Sequence, residues 1–251
     1  MTDAAAEARR ALRASAGGYL RNPVRAPGIT CAVCATPVDG FAWCWRCRQD
    51  RRIPGLADLV VPLTYAIGGT QSATLLWHYK DDPVRKVREQ HTLILNWLLY
   101  LAISLHERCV AAVVGSPVSL RMTIPSLSGR TGLHPFSALA QWMKAISGSI
   151  VLAPAPGAIC DRIVSGDKFA VEPDAPLDGQ HVLLLDDTWT TGSNAQSAAL
   201  AVRRAGAAAV SVMVVGRWLS PNYGNTARFI KEYLHNDYDT GICPVTGGRC
   251  P

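Results

Sequence analysis

This 251-residue chain has no uncharged apolar run as long as a membrane span. The longest run, residues 93–105 (LILNWLLYLAISL), is thirteen residues and contains Asn96. A bilayer span needs about 20 apolar residues, so this segment is expected to be a buried helix. Residues 1–20, MTDAAAEARRALRASAGGYL, lack the continuous apolar core of a secretory signal. Charge is also scarce: 18% of residues are Asp, Glu, Lys or Arg, against 49% hydrophobic. That balance excludes a disordered chain and indicates a packed core. The expectation is a soluble, cytoplasmic protein with no membrane span. The net charge of +6 permits an anionic ligand or nucleic acid without requiring either.

The eight cysteines are unevenly placed. Cys31 and Cys34, then Cys44 and Cys47, form two CxxC knuckles with nine residues between them. Four thiolates at this spacing can close a tetrahedron around zinc. Without a secretory signal a disulfide reading is weak. No thioredoxin-like strand precedes either knuckle, which weakens a redox reading. A closed four-sulfur set leaves no open position, so Zn2+ is expected to be structural. Arg46, Arg48, Arg51 and Arg52 interleave with Trp43 and Trp45, a mixture able to contact nucleic-acid phosphates and bases. The favoured reading has the tryptophans covering a small core and the arginines forming a solvated rim. Near the C-terminus, Cys243 and Cys250 flank a six-residue turn. They could share a metal with His235, Cys109 or Cys160, but two unrelated cysteines is the favoured reading.

The most informative segment is 181–194, HVLLLDDTWTTGSN. Val182 to Leu185 form a short buried strand that runs into Asp186 and Asp187, both expected at a solvent-facing strand end. A polar loop follows, then a helix with Ala195, Ala198, Ala199 and Val202 on one face and Gly206 at its end. A strand–loop–helix of this kind aims backbone N–H groups and a positive helix end at one spot, which favours a phosphate. Thr190, Thr191 and Ser193 add hydroxyls, and Gly192 lets the main chain approach closely. The carboxylates, as acceptors, suit a pair of sugar hydroxyls.

Along the chain, residues 1–20 are Ala- and Arg-rich, either a helix packing on a neighbour or a disordered arm. A strand is expected over 59–67, with Pro62 arguing for an edge position. Helices are expected over 72–79 and 83–108, and a strand over 110–114 bounded by Gly115, Ser116 and Pro117. An irregular loop follows over 118–132, carrying Arg121 and Arg130. A helix is expected over 133–147, mixed short elements over 148–180, and a last strand over 208–215. Alternating strands and helices give an α/β fold, a parallel sheet with helices on both faces, with ligands at the carboxyl ends of the strands. The expected division is 1–27 extension, 28–52 zinc module, 53–220 main domain and 221–251 tail. The candidate binding set is Asp186, Asp187, Thr188, Thr190, Thr191, Gly192, Ser193 and Asn194, joined by Gly115, Ser116, Arg121 and Arg130.

The run of hydrophobic strand, two acids, two variable residues and Thr-Thr-Gly resembles the phosphoribosyl-pyrophosphate motif of the type I phosphoribosyltransferases. With the four-cysteine module ahead of it, the chain resembles the ComF family, the predicted amidophosphoribosyltransferases linked to DNA uptake, over about residues 28–220. Trp77-His78-Tyr79-Lys80 and the segment from Arg162 to Phe169 share in the likeness. The resemblance implies that Asp186 and Asp187 hold ribose hydroxyls, that Thr190 to Asn194 cradle the 5′-phosphate, and that Mg2+ accompanies the substrate. Where the family reads Val-Pro-Val-Pro after its second strand, the corresponding run is taken as Val114-Gly115-Ser116-Pro117, followed by fewer arginines than usual. Thr190 stands where some relatives carry an Asp used as a base, so an acceptor would bring its own nucleophile, such as ammonia or an amine. Trp189 occupies a variable position and either stacks on the ligand or fills space beneath the loop. The alternative is a non-catalytic protein that binds nucleotide or single-stranded DNA and partners DNA-processing proteins.

Overall fold

The computed structural model describes residues 3–128, 132–146 and 148–251. In chain order the strands are β1 (Leu59–Ile67), β2 (Leu120–Thr123), β3 (Val151–Pro154), β4 (Phe169–Glu172), β5 (His181–Trp189) and β6 (Ala209–Leu219). The helices are α1 (Asp3–Ala16), α2 (Trp45–Asp50), α3 (Gln71–Asp81), α4 (Arg85–Val114), α5 (Pro135–Trp142), α6 (Ser193–Arg204) and α7 (Thr226–Tyr233). Strands β1, β6, β5 and β2 form a parallel sheet in that spatial order, and β3 pairs antiparallel with β4 as a separate ribbon. Pro62 sits in β1 at the sheet edge, where a missing N–H costs least.

The continuous apolar runs of β5 and β6 follow from burial on both faces. Leu183, Leu185, Met213 and Val215 join one core with α1, α3, α4 and α5. Val182, Leu184, Val210 and Val212 join the other, with α6, the β3–β4 ribbon and the cysteine knuckles. This is the period-two alternation of a strand dividing two cores. In α1, the buried Ala5, Ala8, Leu12 and Ala16 form one helical stripe against α4, so the Ala-rich start is a packed helix.

Helix α4 corrects one expectation. Residues 110–114 are its last turns, not a strand, and Gly115 ends it with φ 81° and an N–H to the Ala111 carbonyl at 2.8 Å. A short apolar run does not distinguish strand from helix by periodicity. Here Cys109 and Val110 are buried while Val113 is exposed, a helical pattern. The second strand is instead β2, inside the segment read as a loop. By length and composition α4 could also cross a bilayer; in this fold Leu95, Leu98, Leu99 and Ala102 are buried in the core.

Candidate functional site

Strand β5 delivers Asp186 and Asp187 to the carboxyl edge of the sheet, beside the end of β2, where the Ile124 N–H donates to the Leu185 carbonyl at 3.0 Å. The last turns of α3 reach across to the acids. Lys80 Nζ lies 2.6 Å from Asp187 Oδ2, and Tyr79 Oη donates to the same oxygen at 2.5 Å. Burial alone would raise the Asp187 carboxyl, but the Lys80 ammonium and these hydrogen bonds outweigh it and hold the group below the ordinary carboxylate value. Asp186 goes the other way. Burial first, then the neighbouring Asp187 charge, push it well above the ordinary value, although the Asp187 N–H donates to its Oδ1 at 2.9 Å. Neighbouring acids held apart in this way present one fixed anion and one group that readily takes a proton.

The loop after β5 is held from beneath. Trp189 is buried, 2% exposed. Gly192 has φ 84°, and a Cβ there would sit 2.1 Å from the Trp189 ring. Of the two readings of Trp189, the structure selects the one that fills space under the loop. Gly192→Ala is therefore expected to lose loop geometry through both the left-handed backbone, about 1–3 kcal/mol of strain, and the collision. Its melting temperature should fall by several degrees and its affinity for a phosphate ligand at least tenfold, read by calorimetry. An unchanged affinity would show that the loop does not bind the ligand.

Arg217 of β6, 7% exposed, fixes the same loop from the side. Its Nη1 donates to the carbonyls of Trp189, Thr190 and Trp218, each at 2.8 Å, and its Nε donates to Thr36 Oγ1 at 2.8 Å. Thr36 Oγ1 in turn lies 3.0 Å from Cys34 Sγ. A continuous polar chain thus runs from the cysteine knuckles to the loop ahead of α6. Thr191 Oγ1 and Ser193 Oγ, 3.1 Å apart, stand at the first turn of α6, whose N–H groups have no helical acceptors.

The remaining expected residues divide. Thr188 is half-buried in β5 and Thr190 is exposed. Gly115 and Ser116 are not at this edge: the Ser116 carbonyl contacts His181 Nδ1 at 2.8 Å, at the amino end of β5. Because 110–114 is helical, the strand end moves to Thr123 and the facing loop to the residues after it. Arg121 lies within β2 and is paired with Glu107 of α4 at 2.5 and 2.9 Å. Arg130 falls outside the described residues. Beyond β2, Ser126, Ser128 and His134 line a cleft of ≈470 Å³ with Trp77, His78 and Lys80. Tyr79, Lys80, His134 and Arg217 are thus additions; Tyr79 and Lys80 belong to the Trp77–Lys80 stretch that shares in the family likeness.

In the cysteine module the sulfurs of Cys31, Cys34, Cys44 and Cys47 all lie within 4.8 Å of one another, with Cys34 at 3.8 Å from Cys44 and 3.6 Å from Cys47. Tetrahedral zinc with Zn–S bonds of about 2.3 Å sets sulfurs about 3.8 Å apart, so the cluster fits the ion. Trp43 packs under Arg51, whose guanidinium carbon is 3.9 Å from the ring centroid. Trp45 covers no core; it is 60% exposed.

No protein-family model matches the chain, and no curated protein matches it. Among solved structures, a purine phosphoribosyltransferase from Pyrococcus horikoshii Ot3 is 15% identical over 50% of this chain and 91% of its own, with a TM-score of 0.26. That likeness is too slight to bear on the reading of the site.

Proposed function

We propose that the chain is a phosphoribosyltransferase-like protein of the ComF type. It binds phosphoribosyl pyrophosphate with magnesium at the β5–α6 edge and transfers the phosphoribosyl group to an acceptor that carries its own nucleophile. The observation that carries this reading is the acid pair at the end of β5, followed at once by a left-handed Gly192 turn and the N-terminus of α6. A phosphate on that helix end leaves sugar hydroxyls within reach of carboxylate acceptors one loop away. Oxygen ligands such as Asp186 and Asp187 suit magnesium, which when bound would offset the charge of a pyrophosphate leaving group. The protein's own part is positioning. Lys80 keeps Asp187 anionic, Arg217 holds the loop, and the buried Trp189 fixes its height. The four cysteines would hold a structural zinc.

On the far side of the loop is a cleft of ≈790 Å³ lined by Trp43 and Arg46 of the module, Thr190, Thr191, Trp218 and Tyr223. Its volume lies within the usual range for small-molecule sites, and its aromatic walls suit a planar acceptor. Thr190 offers no carboxylate for use as a base, which supports an amine-type nucleophile. Two measurements test the proposal. Calorimetry with phosphoribosyl pyrophosphate and magnesium should give saturable binding, and pyrophosphate should be released with ammonia or an amine. Absence of binding would overturn it.

A second reading, single-stranded DNA binding in DNA uptake or processing, is favoured by the exposed Trp45 beside Arg48, Arg51 and Arg52 around one concavity. Stacking and phosphate neutralisation at such a surface give an affinity that falls steeply with salt. Saturable DNA binding that survives without any phosphoribosyl pyrophosphate affinity would replace the first reading by this one. Either activity is proposed to operate in the cytoplasm, where the thiols remain reduced.

A further inference from the structure

His106, Cys109, Cys243 and Cys250 converge although they are separated by up to 144 residues. His106 and Cys109 project from one face of α4, three residues apart, and are 6% and 1% exposed. The tail supplies the other two. The Cys243 N–H donates to the Gly248 carbonyl and the Gly247 N–H to the Cys243 carbonyl, both at 2.8 Å, closing a turn that returns Cys250 beside Cys243. Gly247 has φ 79°, and a Cβ there would meet Arg25 Cβ at 2.6 Å, so the turn is seated tightly on the chain that leads to the knuckles. Cys243 is fully buried.

We infer that these four residues form a second zinc site, closed and structural, which pins the C-terminal segment onto α4. The ligand atoms all lie within 4.8 Å of one another, with His106 Nδ1 3.6 Å from Cys250 Sγ and 3.9 Å from Cys109 Sγ. Tetrahedral zinc with bonds of about 2.3 Å to sulfur and about 2.0–2.1 Å to nitrogen sets S···N separations near 3.6 Å. Three sulfurs and one imidazole make a complete structural shell with no position for substrate. Ordinary packing gives no reason for a cysteine-bearing turn to close over a buried helix histidine and cysteine. A shared ion does. The site lies on the α1–α4 side of the sheet and owes nothing to the phosphoribosyl reading. Its ion would secure residues 239–251, which have no helix or strand of their own.

Zinc content of the purified full chain tests the inference. Wild type is expected to hold about two zinc ions per chain. Cys250→Ala, at an exposed position that leaves the buried core intact, should hold about one. Cys34→Ala should also hold about one, and the double variant close to none. Cobalt substitution should show thiolate charge-transfer absorbance falling on Cys250→Ala from that of seven Co–S bonds to that of four, which keeps the test informative even if Cys109 or Cys243 variants do not fold. The inference is overturned if the zinc count is unchanged by Cys250→Ala. It is overturned equally if thiol titration of the denatured, chelated protein finds fewer than the eight cysteines free, since a disulfide would then hold the tail.

Discussion

Asp187→Asn is expected to lower the melting temperature at pH 7 while its neighbour Asp186→Asn raises it. Asp187 is the partner of Lys80 and Tyr79, and the Lys80 side chain is only 22% exposed. An amide leaves that ammonium without its counter-charge, at a cost of about 2–4 kcal/mol, or about 5–15 °C for a chain of this size. Asp186 has a raised pKa because burial and the Asp187 charge disfavour its ionised form. Such a group contributes fully below its unfolded pKa of about 3.9, and that contribution is lost as pH rises through the folded value. At neutral pH it therefore costs stability that Asn restores, and the gain should vanish toward pH 4. Asp187, with a lowered pKa, contributes above about pH 3.9, and its contribution is lost as pH falls through the folded value. Melting curves from pH 3 to 8 read both signs at once. Equal shifts for the two variants would show that the acids share one environment. The double variant should lose phosphoribosyl pyrophosphate affinity roughly a hundredfold or more, from two charge-assisted hydrogen bonds worth about 3–6 kcal/mol. If wild type binds no better than the double variant, the motif is a relic of a lost activity.

The asymmetry of the acid pair was not legible in the sequence, which placed both carboxylates at an exposed strand end. Their location was legible, because four apolar residues followed by two acids and Thr-Thr-Gly can hardly be anything but a strand, an edge and a loop. The alternation of strands with helices likewise pointed to the parallel sheet, and the helical spacing of Ala195, Ala198, Ala199 and Val202 to α6. What escaped was long-range. Lys80 and Asp187 are far apart in the chain, and Arg217 lies 181 residues from Thr36; no local pattern couples them. Residues 110–114 misled because an apolar, β-branched run fits a strand as well as the end of a long helix. The four-residue β2 was hidden for the opposite reason. LRMT alternates in burial but is short and adjoins a stretch rich in Ser, Pro and Gly. That single misplacement carried Gly115 and Ser116 to the wrong end of the sheet. The tail cysteines were partly legible: Cys243, Cys250 and Cys109 could be named together, but His106 could not be preferred to His235 without knowing which face of α4 the tail meets.

Arg217→Lys is expected to disable the binding loop without removing a positive charge. The guanidinium bridges three carbonyls and Thr36 at once, a fork that a single ammonium cannot reproduce. Losing several such bonds from a buried cation should cost about 3–5 kcal/mol of stability and at least tenfold in phosphoribosyl pyrophosphate affinity. Because Thr36 also touches Cys34, the four-cysteine module and the loop should be coupled energetically. Removing the zinc proposed for the module should loosen Thr36, release Arg217 and weaken ligand binding in wild type by a similar factor. In Arg217→Lys the connection is already broken, so chelation should change affinity little further. Thr36→Val, which removes only the hydroxyl, should fall between the two and be non-additive with Arg217→Lys in a double-mutant cycle. Full additivity, or a wild-type affinity indifferent to chelation, would mean that the module and the loop are neighbours without being coupled. The four cysteines would then serve the module's own folding or its surface, and the DNA-binding reading would gain what the transferase reading loses.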